Sequence, residues 1–182
     1  MGRHHRHGVE STAAIAGHPL HHMLIVFPVA FLIGAFATDI AFMSTGNPFW
    51  AEASYWLLIG GIVTALVAAV PGLIDFVSID RVRNLWISWA HMIANLVVVG
   101  VALINVGVRL GDPAAGVQDW GIWLSGLQTL LLLFSGWLGG EMAYRYRIGA
   151  IQDDSPQVEQ FHHVEVDRTS EVYNRRTGTG PL

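Results

Sequence analysis

His18, His21 and His22 open the first of four apolar stretches, and His91 lies inside the third, in a chain whose apolar stretches hold few other ionisable groups. Ionisable side chains are costly in hydrocarbon, so these are the first candidates for function. Imidazoles in this pattern fit three chemistries. One from each of two facing helices can ligate a haem iron from both sides, His91 with His21 or His22, while Arg81 and Arg83 stand at the membrane surface for the propionates. His18, His22, His91 and Glu141 form a mixed nitrogen and oxygen set that suits zinc or iron. Histidines with carboxylates such as Asp75 can also exchange protons beside a quinone.

Such residues need a frame that brings them together. Of the 182 residues, 52% are hydrophobic and only 13% charged, far more apolar than a soluble domain. The apolar residues gather in runs at about 20–43, 55–77, 85–108 and 120–143, each near the roughly 20 residues that cross a bilayer. The pattern predicts an all-α integral membrane protein. A four-helix bundle with short loops is expected over 18–150, after a polar amino-terminal segment, 1–17, and before a disordered carboxyl-terminal tail, 151–182. The lipid bilayer is its first expected partner, and no nucleic-acid partner is expected. Cysteine is absent, which excludes disulfides, thiolate metal sites, iron–sulfur ligation and covalent haem attachment within this chain.

Arginine sets the expected orientation. Arg3, Arg6, Arg81, Arg83, Arg145 and Arg147 flank one side of the bundle, against Arg109 among Glu52, Asp112 and Asp119 on the other. The positive-inside rule then places both termini in the cytoplasm of a bacterial inner membrane, with the loops 44–54 and 109–119 outside. In an alternating hairpin bundle, His18, His21 and His22 enter at the inner boundary, Asp75 and Glu141 return to it, and His91 sits roughly 9 Å beyond Leu85 at 1.5 Å per residue. All four helices give one titratable group to a single layer.

Local signals refine the frame. His18 is expected at the cap of the first helix with Pro19 in its first turn, and Gly46-Asn47-Pro48 ends the first hairpin. Pro28 and Pro71 fall inside spans and should kink them. Trp50, Tyr55, Trp56, Trp120 and Trp123 form an outer aromatic belt, and Trp86 and Trp89 an inner one. His18 and His22 share a helix face while His21 points elsewhere, so only one of these faces can look at His91. The outer half of the bundle has no histidine, which limits a bis-histidine site to one haem. A purely structural account also exists: Asp75 paired with Arg81 or Arg83, Glu141 with Arg145, and Asn95 bonded to His91 one turn away. Asp39 reads as an isolated acid near the outer end of the first helix.

Gly17-His18-Pro19-Leu20-His21 with Met23-Leu24 and Phe27-Pro28, then Gly72-Leu73-Ile74-Asp75, an inner-loop Arg before His91 and Asn95, and Trp137-Leu138-Gly139-Gly140-Glu141 with Tyr144-Arg145, resemble the DUF2231 family of small bacterial membrane proteins over roughly residues 17–150. The family's domain occurs joined to Rieske-type iron–sulfur domains and quinoprotein sugar dehydrogenases, and its four-helix form is similar to that of small b-type cytochromes. The resemblance therefore implies an electron-transfer setting. The chain departs from the family at His22, where proline is frequent, and at Val26, where histidine is frequent. The expected function is a b-type haem protein carrying electrons between a quinone or membrane dehydrogenase and a redox partner, a subunit or carrier rather than a stand-alone enzyme. The alternatives are a non-redox scaffold with a structural His/Asp/Glu/Arg network, or a His/Glu site for a zinc or iron ion.

Overall fold

The computed structural model describes residues 8–149. The expectations for a disordered tail, including His162 and His163, and for His4, His5 and His7 fall outside the described residues. Among the described residues, four helices are long and apolar enough to cross a membrane: Leu20–Thr45, Pro48–Ser78, Trp86–Val108 and Pro113–Tyr144. The protein is a multi-pass helical membrane protein.

Chain order begins with a small hairpin, β1 (Ala14–Ile15) paired antiparallel with β2 (His18–Pro19). Its two-residue turn, Ala16-Gly17, holds both residues at positive φ, 49° and 78°, the conformation that matches hairpin twist. The first span is α1 (Leu20–Leu24) and α2 (Val26–Thr45), broken at Ile25. Pro28 explains the break, because it has no N–H for the carbonyl of Leu24. The second span is one helix, α3 (Pro48–Ser78), with Pro71 inside it. A short α4 (Asp80–Arg83) leads to the third span, α5 (Trp86–Val108). The fourth span begins as α6 (Pro113–Gly116), passes through a π-helical turn at Val117–Gly121 and continues as α7 (Ile122–Tyr144).

Two helices start earlier than hydropathy suggests. Asn47 accepts from the Phe49 N–H at 3.1 Å and Asp112 from the Ala115 N–H at 3.0 Å, each with proline at the first helical position. Caps of this kind begin a helix in the polar interface, before the chain becomes apolar. At the other boundary the reading of His18 as a cap is corrected. His18 belongs to β2, and Pro19 is the extended residue before the helix. Its ring donates from Nδ1 to the Ala16 carbonyl at 2.9 Å, tying down the hairpin turn.

The first span packs along the second and the fourth, and the third span along the same two, so the first and third occupy opposite corners of a square. Leu32, Ala35, Leu58, Ile62, Val98, Ala102 and Leu132 fill the middle. Outside this core the helices present Leu66, Val70, Leu96 and Leu130 on the surface, an apolar exterior suited to lipid. Trp56, Trp120 and Trp123 near one end, and Trp86 and Trp89 near the other, are exposed as an interfacial belt requires.

Close packing at the centre depends on glycine where a Cβ has no room. A Cβ at Gly61 would lie 2.3 Å from the Cδ2 of Leu32, itself 1% exposed, whereas one at Gly100 would meet nothing within 4 Å. Gly61→Ala should therefore destabilise the bundle by about 1–3 kcal/mol through overpacking. Gly100→Ala should be neutral or stabilising by up to about 1 kcal/mol through helix propensity. Thermal unfolding of the two variants in detergent separates these outcomes.

Candidate functional site

Residues 8–19 lie over the end of the bundle that carries Asp75 and Glu141, here called inner as a label for that end, with the Asp39 end called outer. The N–H of Val9 donates to the Arg147 carbonyl at 3.0 Å, and the N–H of Gly149 returns to the Val9 carbonyl at 2.7 Å. Asp75 holds the middle of this strap. Its carboxylate accepts from the Ser11 hydroxyl at 2.6 Å and the Ala13 N–H at 2.9 Å. The expected pairing of Asp75 with Arg81 or Arg83 is corrected: among the described residues Arg83 pairs with Asp80, and the Nη2 of Arg81 donates to the Tyr146 carbonyl at 3.4 Å. Glu141 does pair with Arg145, one turn on, at 2.6 Å.

Beneath the strap two imidazoles meet across the diagonal of the square. The ring centres of His21 and His91 stand 6.3 Å apart with their planes at 87°. Nδ1 of His21 donates to the Ala68 carbonyl at 2.8 Å, and Nδ1 of His91 to the Ser135 carbonyl at 3.0 Å. A carbonyl can only accept, so the shared proton sits on Nδ1 in both rings and the neutral form keeps its lone pair on Nε2. Pro71 helps on one side. It leaves Val67 without its helical donor, next to the Ala68 carbonyl that His21 reaches.

Each ring also lies against a glycine. A Cβ at Gly72 would come within 2.7 Å of His21 Nδ1, and one at Gly139 within 3.3 Å of His91 Cε1. The Ser135 hydroxyl also lies 3.1 Å from His91 Nδ1, and Asn95 completes the surroundings of His91. Its Nδ2 donates to His91 Nε2 at 3.1 Å and to the His91 carbonyl at 2.8 Å.

The other expected ligands do not converge here. His22 is exposed, with its ring centre 6.0 Å from that of His21. His18 is held in the hairpin turn, and Glu141 in its ion pair. Among the described residues no group of three or more His, Cys, Asp or Glu side chains is arranged to hold a metal ion. Of the two candidate partners on the first helix, the one that faces His91 is His21.

A second polar cluster, at the outer end, corrects two readings. Asp39 is not alone, and Arg109 is not a loop cation: both side chains are fully buried and paired at 2.7 Å. All five guanidinium N–H groups are used. Nε donates to Asn105 Oδ1 at 2.9 Å, Nη1 to Asp39 Oδ1 at 2.8 Å and Ser54 Oγ at 2.7 Å, and Nη2 to Asp39 Oδ2 at 2.7 Å and Ser125 Oγ at 3.0 Å. Glycine makes the room, since a Cβ at Gly121 would lie 2.9 Å from Arg109 Nη2. The signal for this cluster was the depth of Asp39, which demanded a cation at the same level. Gln128, one turn inward of Ser125, is buried with both amide atoms unbonded among the described residues.

The two clusters have different chemical capacity. The outer one has no unused donor on its guanidinium and both carboxylate oxygens engaged, so it binds helices to one another. The inner one leaves imidazole nitrogen for a ligand.

The family described as "Predicted membrane protein (DUF2231)" matches residues 17–152, a range that includes both clusters. No curated protein and no solved structure gives a significant match to the chain.

Breaking the outer pair tests its structural role. Asp39→Asn or Arg109→Gln alone should cost about 3–5 kcal/mol, because each leaves an uncompensated buried charge. The double variant should recover part of that loss. Unfolding midpoints in detergent for the two single variants and the double variant measure the coupling directly.

Proposed function

The chain belongs to the DUF2231 family of predicted membrane proteins, and on that premise we propose that it is a b-type haem-binding electron-transfer protein in which His21 and His91 would hold the iron. The observation that carries this reading is the imidazole pair itself. A ring bound through Nε2 has its centre about 3 Å from the metal, given metal–nitrogen bonds of about 2 Å. Two rings that shared one metal would therefore stand roughly 6 Å apart, and the pair stands at 6.3 Å.

The hydrogen bonds around the pair favour the same reading. Ligating histidines donate their other ring N–H to a carbonyl or carboxylate, which fixes the tautomer and raises ligand basicity. His21 and His91 both do so, to Ala68 and Ser135. Gly72 and Gly139 keep side chains away from the two rings. Arg81 and Arg83, at the inner surface, are the cations for the propionates. When bound, the haem supplies a one-electron couple; the protein's residues hold its iron, set its orientation and exclude water around it. A quinone or membrane dehydrogenase on one side and a redox protein on the other are the partners this function requires.

Burial of Arg109 sharpens the orientation argument. With that cation neutralised inside the bundle, the outer loops carry no other arginine among the described residues, while Arg81, Arg83, Arg145 and Arg147 lie at the inner end. By the positive-inside rule this supports a cytoplasmic location for that end.

One observation favours a second reading. Asn95 already donates to His91 Nε2 at 3.1 Å, as in a structural network of a non-redox scaffold.

A reduced-minus-oxidised spectrum of protein expressed with ample haem decides between them. The haem reading expects sharp visible bands, lost in His21→Ala and His91→Ala and kept in His18→Ala and His22→Ala. A wild-type spectrum with nothing beyond tryptophan absorbance sinks it in favour of the scaffold. For orientation, a carboxyl-terminal reporter fusion should be active only as a cytoplasmic form; periplasmic activity would invert the topology.

A further inference from the structure

The first and third spans repeat one another. Pro28, Leu32, Ala35 and Asp39 are buried on the first, and Val98, Ala102, Asn105 and Arg109 are buried at the positions 70 residues later, the spacing of the Asp39–Arg109 pair. His21 and His91 share that spacing. Between the second and fourth spans the shift is 67: Ala68 and Ser135 provide the carbonyls, and Gly72 and Gly139 the glycines beneath the rings. The bundle is thus two similar hairpins around a pseudo-two-fold axis, and both diagonal contacts, ion pair and imidazole pair, lie on it.

The inner contact departs from this symmetry at two residues: Ser135, whose hydroxyl lies 3.1 Å from His91 Nδ1, stands where the second span has Ala68, and Asn95 has an aliphatic counterpart. The first-span counterpart of Asn95 is Ile25, whose aliphatic side chain offers no hydrogen bond. As a result His91 Nε2 is held by the Asn95 amide, while His21 Nε2 has no hydrogen-bond partner among the described residues. A ligand that approaches along the axis meets one free lone pair and one that is occupied.

We propose that Asn95 is a positioning residue that orders ligation: an iron-centred ligand is taken first by His21, and His91 engages only when the Asn95 amide swings away. The proposal rests on the haem reading above. On that reading His21, whose Nε2 is free among the described residues, would hold the iron before His91, whose Nε2 is held by Asn95.

Haemin titration of the detergent-solubilised apoprotein tests it, with wild type beside Asn95→Leu, or Asn95→Ala if the leucine variant fails to insert. Wild type should bind in two spectral phases, the second marking His91 ligation. In the variant the second phase should be favoured by about fivefold, the equilibrium value of one released hydrogen bond. Nitrogen NMR of the apoprotein should also show the His91 Nε2 signal move in the variant while that of His21 stays. Equal second phases in the two proteins, or loss of six-coordination in the variant, overturn the proposal and leave the haem reading standing. Failure of both proteins to bind haemin overturns the two together.

Discussion

A guanidinium inside a bilayer is tolerated only where each N–H finds an acceptor. Arg109 meets that condition by drawing on all four spans: Asp39 from the first, Ser54 from the second, Asn105 from its own and Ser125 from the fourth. No pair of these helices can shift far without leaving a buried donor unsatisfied. The register of the whole bundle is therefore tied to one side chain. His21 precedes Asp39, and His91 precedes Arg109, by the same 18 residues, which is about five turns of a helix. Closing the ion pair at the outer end thus brings the two imidazoles to one level at the inner end.

The inner end is built on a looser principle. Its rings are held by backbone carbonyls, and prolines are what make the helix backbone there adaptable. Pro28 breaks the first span just past His21, and Pro71 disturbs the second beside the carbonyl that His21 takes. The strap over residues 8–19 then closes this end through Asp75, Ser11 and Ala13. The acid lost its expected partner Arg83 because Asp80 lies one helical turn from that arginine, whereas Ser11 and the Ala13 N–H come to Asp75 from the strap.

What could be read in advance follows the range of the interaction. The four spans, the Gly46-Asn47-Pro48 turn, the Asn95 bond to His91 and the Glu141–Arg145 pair are all set within one or two turns of chain, and hydropathy and helical spacing expose them. The choice of His21 over His22 needed the rotation of a helix whose start lay in a β-hairpin, which no periodicity signals. Arg109 was missed for another reason. It stands at a helix end beside Asp112, so charge counting put it in the loop; its partner lies 70 residues away. The depth argument that grouped the inner histidines applies equally to Asp39 and Arg109, and would have paired them.

The difference between the ends also bears on what each can evolve to do. At the outer end any substitution must replace a satisfied charge, so change there is penalised by the full desolvation of the group left behind. At the inner end each ring rests on a backbone carbonyl, which persists whatever side chain occupies 68 or 135, and on a glycine, with the Ser135 hydroxyl adding a side-chain contact to His91 alone. Single residues such as Asn95 can then vary around the rings without disturbing the lock that sets the register. A polar clamp at one end and an imidazole pair held largely by backbone at the other are thus combined in one small bundle.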